Sequence, residues 1–191
     1  MRKYLELSDL ELLQKIIKKD ARALEELYER YSPVIYAIIK KIIGEDKNAE
    51  EIIIKVFMIL WNRANLFPLH TQNVYVWLIY LTRNLAIDTL RRKLDPDNSL
   101  VYNDEYELKY ILPVIDGKID PLDLKTAFEI KLKFDDELNK LSEEQKQIIH
   151  LSFYEGYTID EISEKLFVPV VKMREKISDC VFQLRKNLLS E

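Results

Sequence analysis

The chain has 191 residues, 48% of them hydrophobic and 32% charged, which is the composition of a folded globular protein and not of a disordered tail. Three glycines and a single cysteine, Cys180, exclude glycine-built phosphate loops, dinucleotide fingerprints, an internal disulfide and a cysteine-based metal cluster. The net charge of −4 excludes a uniformly basic coat for nucleic acid, so contact with DNA is expected only from local patches, within a larger assembly.

The start, MRKYLELSDLELL, lacks the unbroken apolar core of a signal peptide, and no apolar run reaches the length of about eighteen residues needed to span a bilayer. A cytoplasmic protein without membrane insertion is expected. Ser8 with Glu11 forms a capping box ahead of LLQKIIKK, and Asp20 caps the next helix, ARALEELYERY. Pro33 is expected to interrupt or kink that element, which resumes through VIYAIIKKII and stops at Gly44. Asn48 with Glu51 has the form of another cap, opening a third helix to about Ala64. Its stretch AEEIIIKVFMILW, Ala49 to Trp61, is apolar on nearly every side, more than one core face requires. The surplus suits docking onto a partner's coiled coil, with Glu50 and Glu51 at its start.

The loop from Asn65 to Asn73 brings amide, hydroxyl and imidazole groups together in Asn65, His70, Thr71, Gln72 and Asn73, all able to read base edges. A fourth helix follows, WLIYLTRNLAIDTLRRK, from Trp77 to Lys93. At the helical period Leu78, Leu81, Leu85, Ala86 and Leu90 fall on one apolar arc. The opposite arc collects Trp77, Tyr80, Arg83, Asn84, Ile87 and Arg91, with Asp88 and Arg92 at its edge. Aromatic rings interleaved with guanidinium groups suit unstacked bases and their phosphates, each ring offering a stacking surface worth ~1–3 kcal/mol per base.

Between Leu94 and Asp136 the periodicity degrades. Eleven acidic residues face five lysines there, and Pro96, Pro113 and Pro121 break any long helix, so the segment reads as an acidic linker with some short helix. Helical character returns in FEIKLKFDDELNKL. Ser142 with Gln145 caps the next helix, which runs to Gly156, and Thr158 with Glu161 opens IDEISEKL. Phe167, Val168 and Pro169 make a turn into a helix from about Val170 to Leu188. A short helix, a tight turn and a longer helix form the helix-turn-helix arrangement, whose second helix can lie in the major groove.

Three of these blocks, in this order and spacing, resemble the small alternative sigma factors of bacteria, the extracytoplasmic-function group. WLIYLTRNLAIDTLRRK is similar to that family's promoter-melting helix and AEEIIIKVFMILW to its polymerase-clamp helix. LSEEQKQIIHLSFYEGYTIDEISEKLFVPV resembles the opening of its promoter-reading domain. The resemblance implies an all-α fold: residues 1–93 as a clamp-binding and promoter-melting domain, 94–136 as the acidic linker, and 137–191 as a four-helix promoter-recognition domain with the helix-turn-helix. It implies a linker that threads through the polymerase near the path of the nascent RNA.

By the same resemblance, Glu50, Glu51, Lys55, Phe57 and Trp61 contact polymerase. Asn65, His70, Thr71, Gln72 and Asn73 take the downstream promoter element together with Trp77, Tyr80, Arg83, Asn84, Arg91 and Arg92. Thr158, Lys172, Met173, Arg174 and Lys176 take the upstream one. The chain departs from the family at Ile54 and Lys55, where Gln and an acidic residue are usual. It departs again at Val171 and Lys172, where Gly-Thr is usual, and at Glu175, Ser178 and Asp179, where small or basic residues are usual.

The implied partners are core RNA polymerase, promoter DNA and an anti-sigma factor. No cofactor, metal or small-molecule substrate is expected, and no catalysis by the chain itself: His70 and His150 are far apart and fit no zinc motif. His150, among Ile148, Ile149 and Leu151, reads as structural. Two other readings are a stand-alone helix-turn-helix regulator and a sigma-like decoy that occupies polymerase or an anti-sigma factor without reading promoters.

Overall fold

The computed structural model describes residues 2–44, 48–69, 73–97, 100–114 and 124–189. Every regular element among them is helical. The chain divides into two compact units, Met1–Asp123 and Leu124–Glu191.

In the N-terminal unit a short α1 (Arg2–Leu5) leads to α2 (Asp9–Ile17), α3 (Ala21–Ile43), α4 (Ala49–Arg63) and α5 (Val74–Leu94). The Ser8 capping box forms, with the Ser8 amide donating to Glu11 Oε2 at 2.8 Å and the Glu11 amide to Ser8 Oγ at 3.3 Å. Asp20 accepts from the amides of Arg22 and Ala23. Its carboxyl is held below the ordinary aspartate range, first by the Tyr4 hydroxyl and then by those amides. At the other end of α3, Gly44 takes the left-handed conformation (φ 70°) and donates to the Lys40 carbonyl, a geometry glycine adopts without the Cβ clash.

Two local expectations differ. Pro33 lies inside an uninterrupted α3. It sits on the solvent side, as does Glu29 one turn earlier, so the carbonyl that loses its amide partner lies on the face of the helix open to solvent. Asn48 makes no side-chain cap, because its helical backbone (φ −101°, ψ −6°) keeps the side chain from reaching back to the first turn.

The core of this unit is built on α3. Ala23, Leu27, Tyr31, Ile35, Ile39 and Ile42 recur at close to four-residue steps and are buried, as a 3.6-residue period demands. Against them pack Leu12, Leu13 and Ile16 of α2, Ile52, Val56 and Leu60 of α4, and Val74, Trp77, Leu78, Leu81 and Leu85 of α5. One cation ties the N-terminus to this frame. Arg30 donates to Glu26 at 2.7 Å, to Asp9 at 3.0 Å and to the carbonyls of Leu7, Tyr4 and Leu5, while the Tyr31 hydroxyl donates to the other oxygen of Asp9. Arg30→Met would leave two carboxylates and three carbonyls short of a donor. It is expected to cost about 2–3 kcal/mol, read as a lowered urea midpoint with unchanged m-value.

Part of the stretch expected as linker is ordered on this unit. Asn103 caps α6 (Asp104–Tyr106), which continues into a π turn, Glu107–Ile111, against α5. The rest of the stretch contributes α7 (Leu124–Asn139), which belongs to the C-terminal unit. The sparse apolar pattern concealed both: Ile111 alone is buried among residues 100–114.

The C-terminal unit continues with α8 (Glu143–Ile149) and its π extension His150–Tyr154, α9 (Ile159–Leu166) and α10 (Val170–Leu189). The capping boxes at Ser142 and Thr158 both form. Two clusters fill it: Leu141, Ile149, Cys180 and Leu184 with Phe134 and Leu138, and Ile148, Leu151, Ile162 and Met173 with Ile159, Leu166 and Ile177. Phe167 makes the turn between α9 and α10 with left-handed backbone (φ 54°), closed by the Val168 amide on the Ser163 carbonyl and the Ser163 hydroxyl on the Val168 carbonyl. His150 is exposed, stacks on Tyr154 and faces Glu155 at 3.2 Å. It is a surface residue, not a core one.

Candidate nucleic-acid interface

Two lines of side chains run along the outward side of α5. On the first, Tyr80 is 43% exposed, and Arg91, about three turns further along, is also exposed. Arg83, a turn beyond Tyr80, is half-buried, and burial pulls its guanidinium pKa below the ordinary arginine value. On the second line stand Asn84, Asp88 and Arg92 at four-residue spacing, the distance at which helical neighbours meet. Asp88 Oδ2 accepts from Arg92 Nε at 2.9 Å.

The ordered linker segment lies on this second line. Asn84 Nδ2 donates to the Ile111 carbonyl at 2.9 Å and the Tyr106 hydroxyl to Asp88 Oδ1 at 2.6 Å. Arg92 Nη1 donates to the Leu100 carbonyl at 2.6 Å. The rings of Tyr106 and Tyr102 lie 4.6 and 5.5 Å from the Arg92 guanidinium carbon, within cation–π range. Burial and the Asp88 carboxylate push the Tyr106 hydroxyl pKa up. From α4, Arg63 closes the far edge with Asp104 at 2.9 Å and Glu107 at 3.0 Å. Sequence reading missed Arg63, Asp104, Tyr106, Glu107 and Ile111. The available signal was the cap-like Asn103 and the four-residue spacing of Tyr102, Tyr106 and Tyr110.

Several expected contact residues are elsewhere. Trp77 is 1% exposed and meets Phe67 edge-on, with ring centroids 6.0 Å apart, so it is a core residue and not a stacking surface. Its line, with Val74, Leu78 and Leu81, is the i, i+3, i+4, i+7 stripe that a buried face requires. Ile87 is buried as well. Asn73 is buried and caps α5, accepting from the Val76 amide. Asn65 is exposed in the 3₁₀ turn Ala64–Leu66. His70, Thr71 and Gln72 lie outside the described residues.

On α4, Glu50, Glu51 and Lys55 are exposed. Phe57 is buried against Tyr28, 4.9 Å between ring centroids, and is not available to a partner. The outward apolar stripe consists instead of Ile54 and Met58, each 57% exposed. Half-buried Trp61 follows one turn later, with the Lys19 ammonium 4.9 Å from its ring centre. In the C-terminal unit Met173 is fully buried between α8 and α9, and Lys176 pairs with Glu144 at 2.8 Å. Lys172 and Arg174 are exposed, and Thr158 sits exposed at the start of α9. An apolar groove of about 670 Å³ runs between α7 and α10, lined by Phe134, Leu138, Ile149, Phe153 and Leu184 with Lys133 and Arg185 among the polar residues. Among the described residues, no helix is long and apolar enough to cross a membrane.

Residues 27–94, which hold α4 and α5, match the family Sigma-70 region 2. Residues 138–186, which hold the helix-turn-helix, match the family Sigma-70, region 4. The two matches together cover more than half of the chain. Among curated proteins, the ECF RNA polymerase sigma factor SigK of Mycobacterium tuberculosis is 24% identical over 183 residues, spanning 95% of this chain and 94% of that protein. SigK of Mycobacterium sp. (strain JLS) is 22% identical over 178 residues, spanning 93% and 89%. Among solved structures, Rhodobacter sphaeroides SigE in complex with the anti-sigma ChrR is 20% identical, with a TM-score of 0.43, spanning 93% of this chain and 96% of that one. With region 2 in the first unit and region 4 in the second, the chain belongs to the sigma-70 family and is an alternative sigma factor of the extracytoplasmic-function group.

Proposed function

We propose that the two units divide the work of directing core RNA polymerase to promoters as follows. The N-terminal unit attaches to the polymerase clamp through Ile54, Met58 and Trp61, flanked by Glu50, Glu51 and Lys55. It holds the melted downstream element on α5, where Tyr80 stacks and Arg83 and Arg91 face phosphates. The observation that carries this reading is the outward line from Tyr80 to Arg91 on the helix inside the region 2 match. Strand capture favours opening by differential affinity, since the melted state exposes bases that the duplex hides.

The C-terminal unit approaches the upstream element with Thr158, Lys172 and Arg174, and its apolar groove receives the polymerase flap. Glu175 and Asp179 on α10 repel phosphate, so upstream reading is weaker than a fully basic helix would give. The chain supplies no catalytic group; nucleotide addition belongs to the polymerase, in the cytoplasm. An anti-sigma partner would find the same Ile54–Met58 stripe.

A stand-alone regulator has no need of that stripe, which makes it the test. Ile54→Glu/Met58→Glu is expected to weaken association with core polymerase by about ten-fold or more, measured by competition against the wild-type chain. Because both side chains face solvent, the thermal midpoint should hardly move. Unchanged association would remove α4 from the polymerase contact.

A further inference from the structure

The ordered linker segment occupies the second line of α5, directly beside the line of Tyr80, Arg83 and Arg91 on which this reading places DNA, and over two residues, Asn84 and Arg92, that the family resemblance assigns to the downstream element. Asn84 and Arg92, two of the polar groups on α5, are already taken by the carbonyls of Ile111 and Leu100. The Arg92 guanidinium faces the rings of Tyr106 and Tyr102, as it would face bases. Arg63 meets the carboxylates of Asp104 and Glu107, as it would meet phosphates. In chemistry the segment is a substitute for a nucleic-acid strand: anionic oxygens for phosphates, aromatic rings for bases, and carbonyls as acceptors for side-chain donors.

The segment is also built to leave. Leu100, Val101, Leu108 and Val114 are exposed, and Ile111 is its one buried side chain. A core element buries most of its apolar side chains; this one holds on through Ile111, Tyr106 and Glu107 and leaves most of the others in water, the pattern of a lightly held surface element.

We propose that residues 100–112 form a detachable cover on α5 that keeps the unbound sigma factor from holding single-stranded DNA. The inference rests on the assignment of α5 as the strand-holding helix. Covered and uncovered states exchange, and only the uncovered fraction binds, so apparent affinity is reduced by that fraction. Any contact of polymerase that engages residues 100–112 would shift the exchange toward the uncovered state.

The test uses the full chain and a fluorescein-labelled, mixed-sequence single-stranded DNA oligonucleotide of about 20 nucleotides, without polymerase, read by anisotropy at low salt. Asp104→Ala/Glu107→Ala and, separately, Tyr106→Phe weaken the cover without touching α5. Each is expected to tighten binding, the double variant by about ten-fold, and Tyr80→Ala/Arg91→Ala introduced into the double variant should abolish the gain. If neither variant binds more tightly than wild type, although both open promoters normally with polymerase, the cover is overturned and the assignment of α5 stands. If they bind more tightly but the Tyr80/Arg91 changes leave that gain intact, the strand lies off α5, and both the cover and the assignment fall.

Discussion

Trp77→Ala is expected to cost the N-terminal unit about 3–5 kcal/mol, enough to leave it largely unfolded at physiological temperature. The indole is 1% exposed, lies between Phe67 and the α3–α5 packing, and is among the largest fully buried side chains of the protein. Removing it leaves a void that neighbouring helices, fixed by their own contacts, close only in part. The measurement is urea unfolding followed by far-UV circular dichroism. A Trp77 that served as a base-stacking platform would behave otherwise: stability would change by less than about 0.5 kcal/mol and only promoter opening would suffer.

Tyr80→Ala/Arg91→Ala should show the opposite pattern. Both side chains are exposed on α5, so the fold loses little. Loss of one stacking surface and one phosphate contact is expected to lower open-complex formation by about 10–100-fold. Association with core polymerase, which uses α4, should be unchanged. The effect is read by permanganate reactivity of the melted promoter, with the thermal midpoint of the variant as control. Arg92 is a poorer choice for such a test. Its contacts with Asp88, the Leu100 carbonyl and two tyrosines mean that its loss alters the linker as well as the DNA face.

The contrast between Trp77 and Tyr80 shows how far the residue pattern reaches. Capping boxes at Ser8, Ser142 and Thr158 were legible because they depend on residues three apart in one turn, and all three form. The all-α fold and the helix-turn-helix were legible for the same reason. Faces were harder. The first half of α5 is apolar on all sides (Val74, Val76, Trp77, Leu78, Ile79), so periodicity does not decide which side meets α3 until tertiary packing does. Phe57 and Met173 were misplaced alike: Phe57 follows exposed Lys55 by two residues and Met173 stands between exposed Lys172 and Arg174, yet both side chains turn inward. The docked linker was least legible, since polar contacts over long sequence separations, such as Arg63 with Glu107, leave no hydrophobic period to read.

The two units act together with polymerase to select and open promoters. Run-off transcription on a genomic DNA library, with purified bacterial core polymerase in the presence and absence of the chain, tests this most directly. Discrete start sites that require the chain and disappear with Tyr80→Ala/Arg91→Ala are predicted. Transcripts that are the same with and without the chain, from a polymerase shown to be bound to it, would contradict the account.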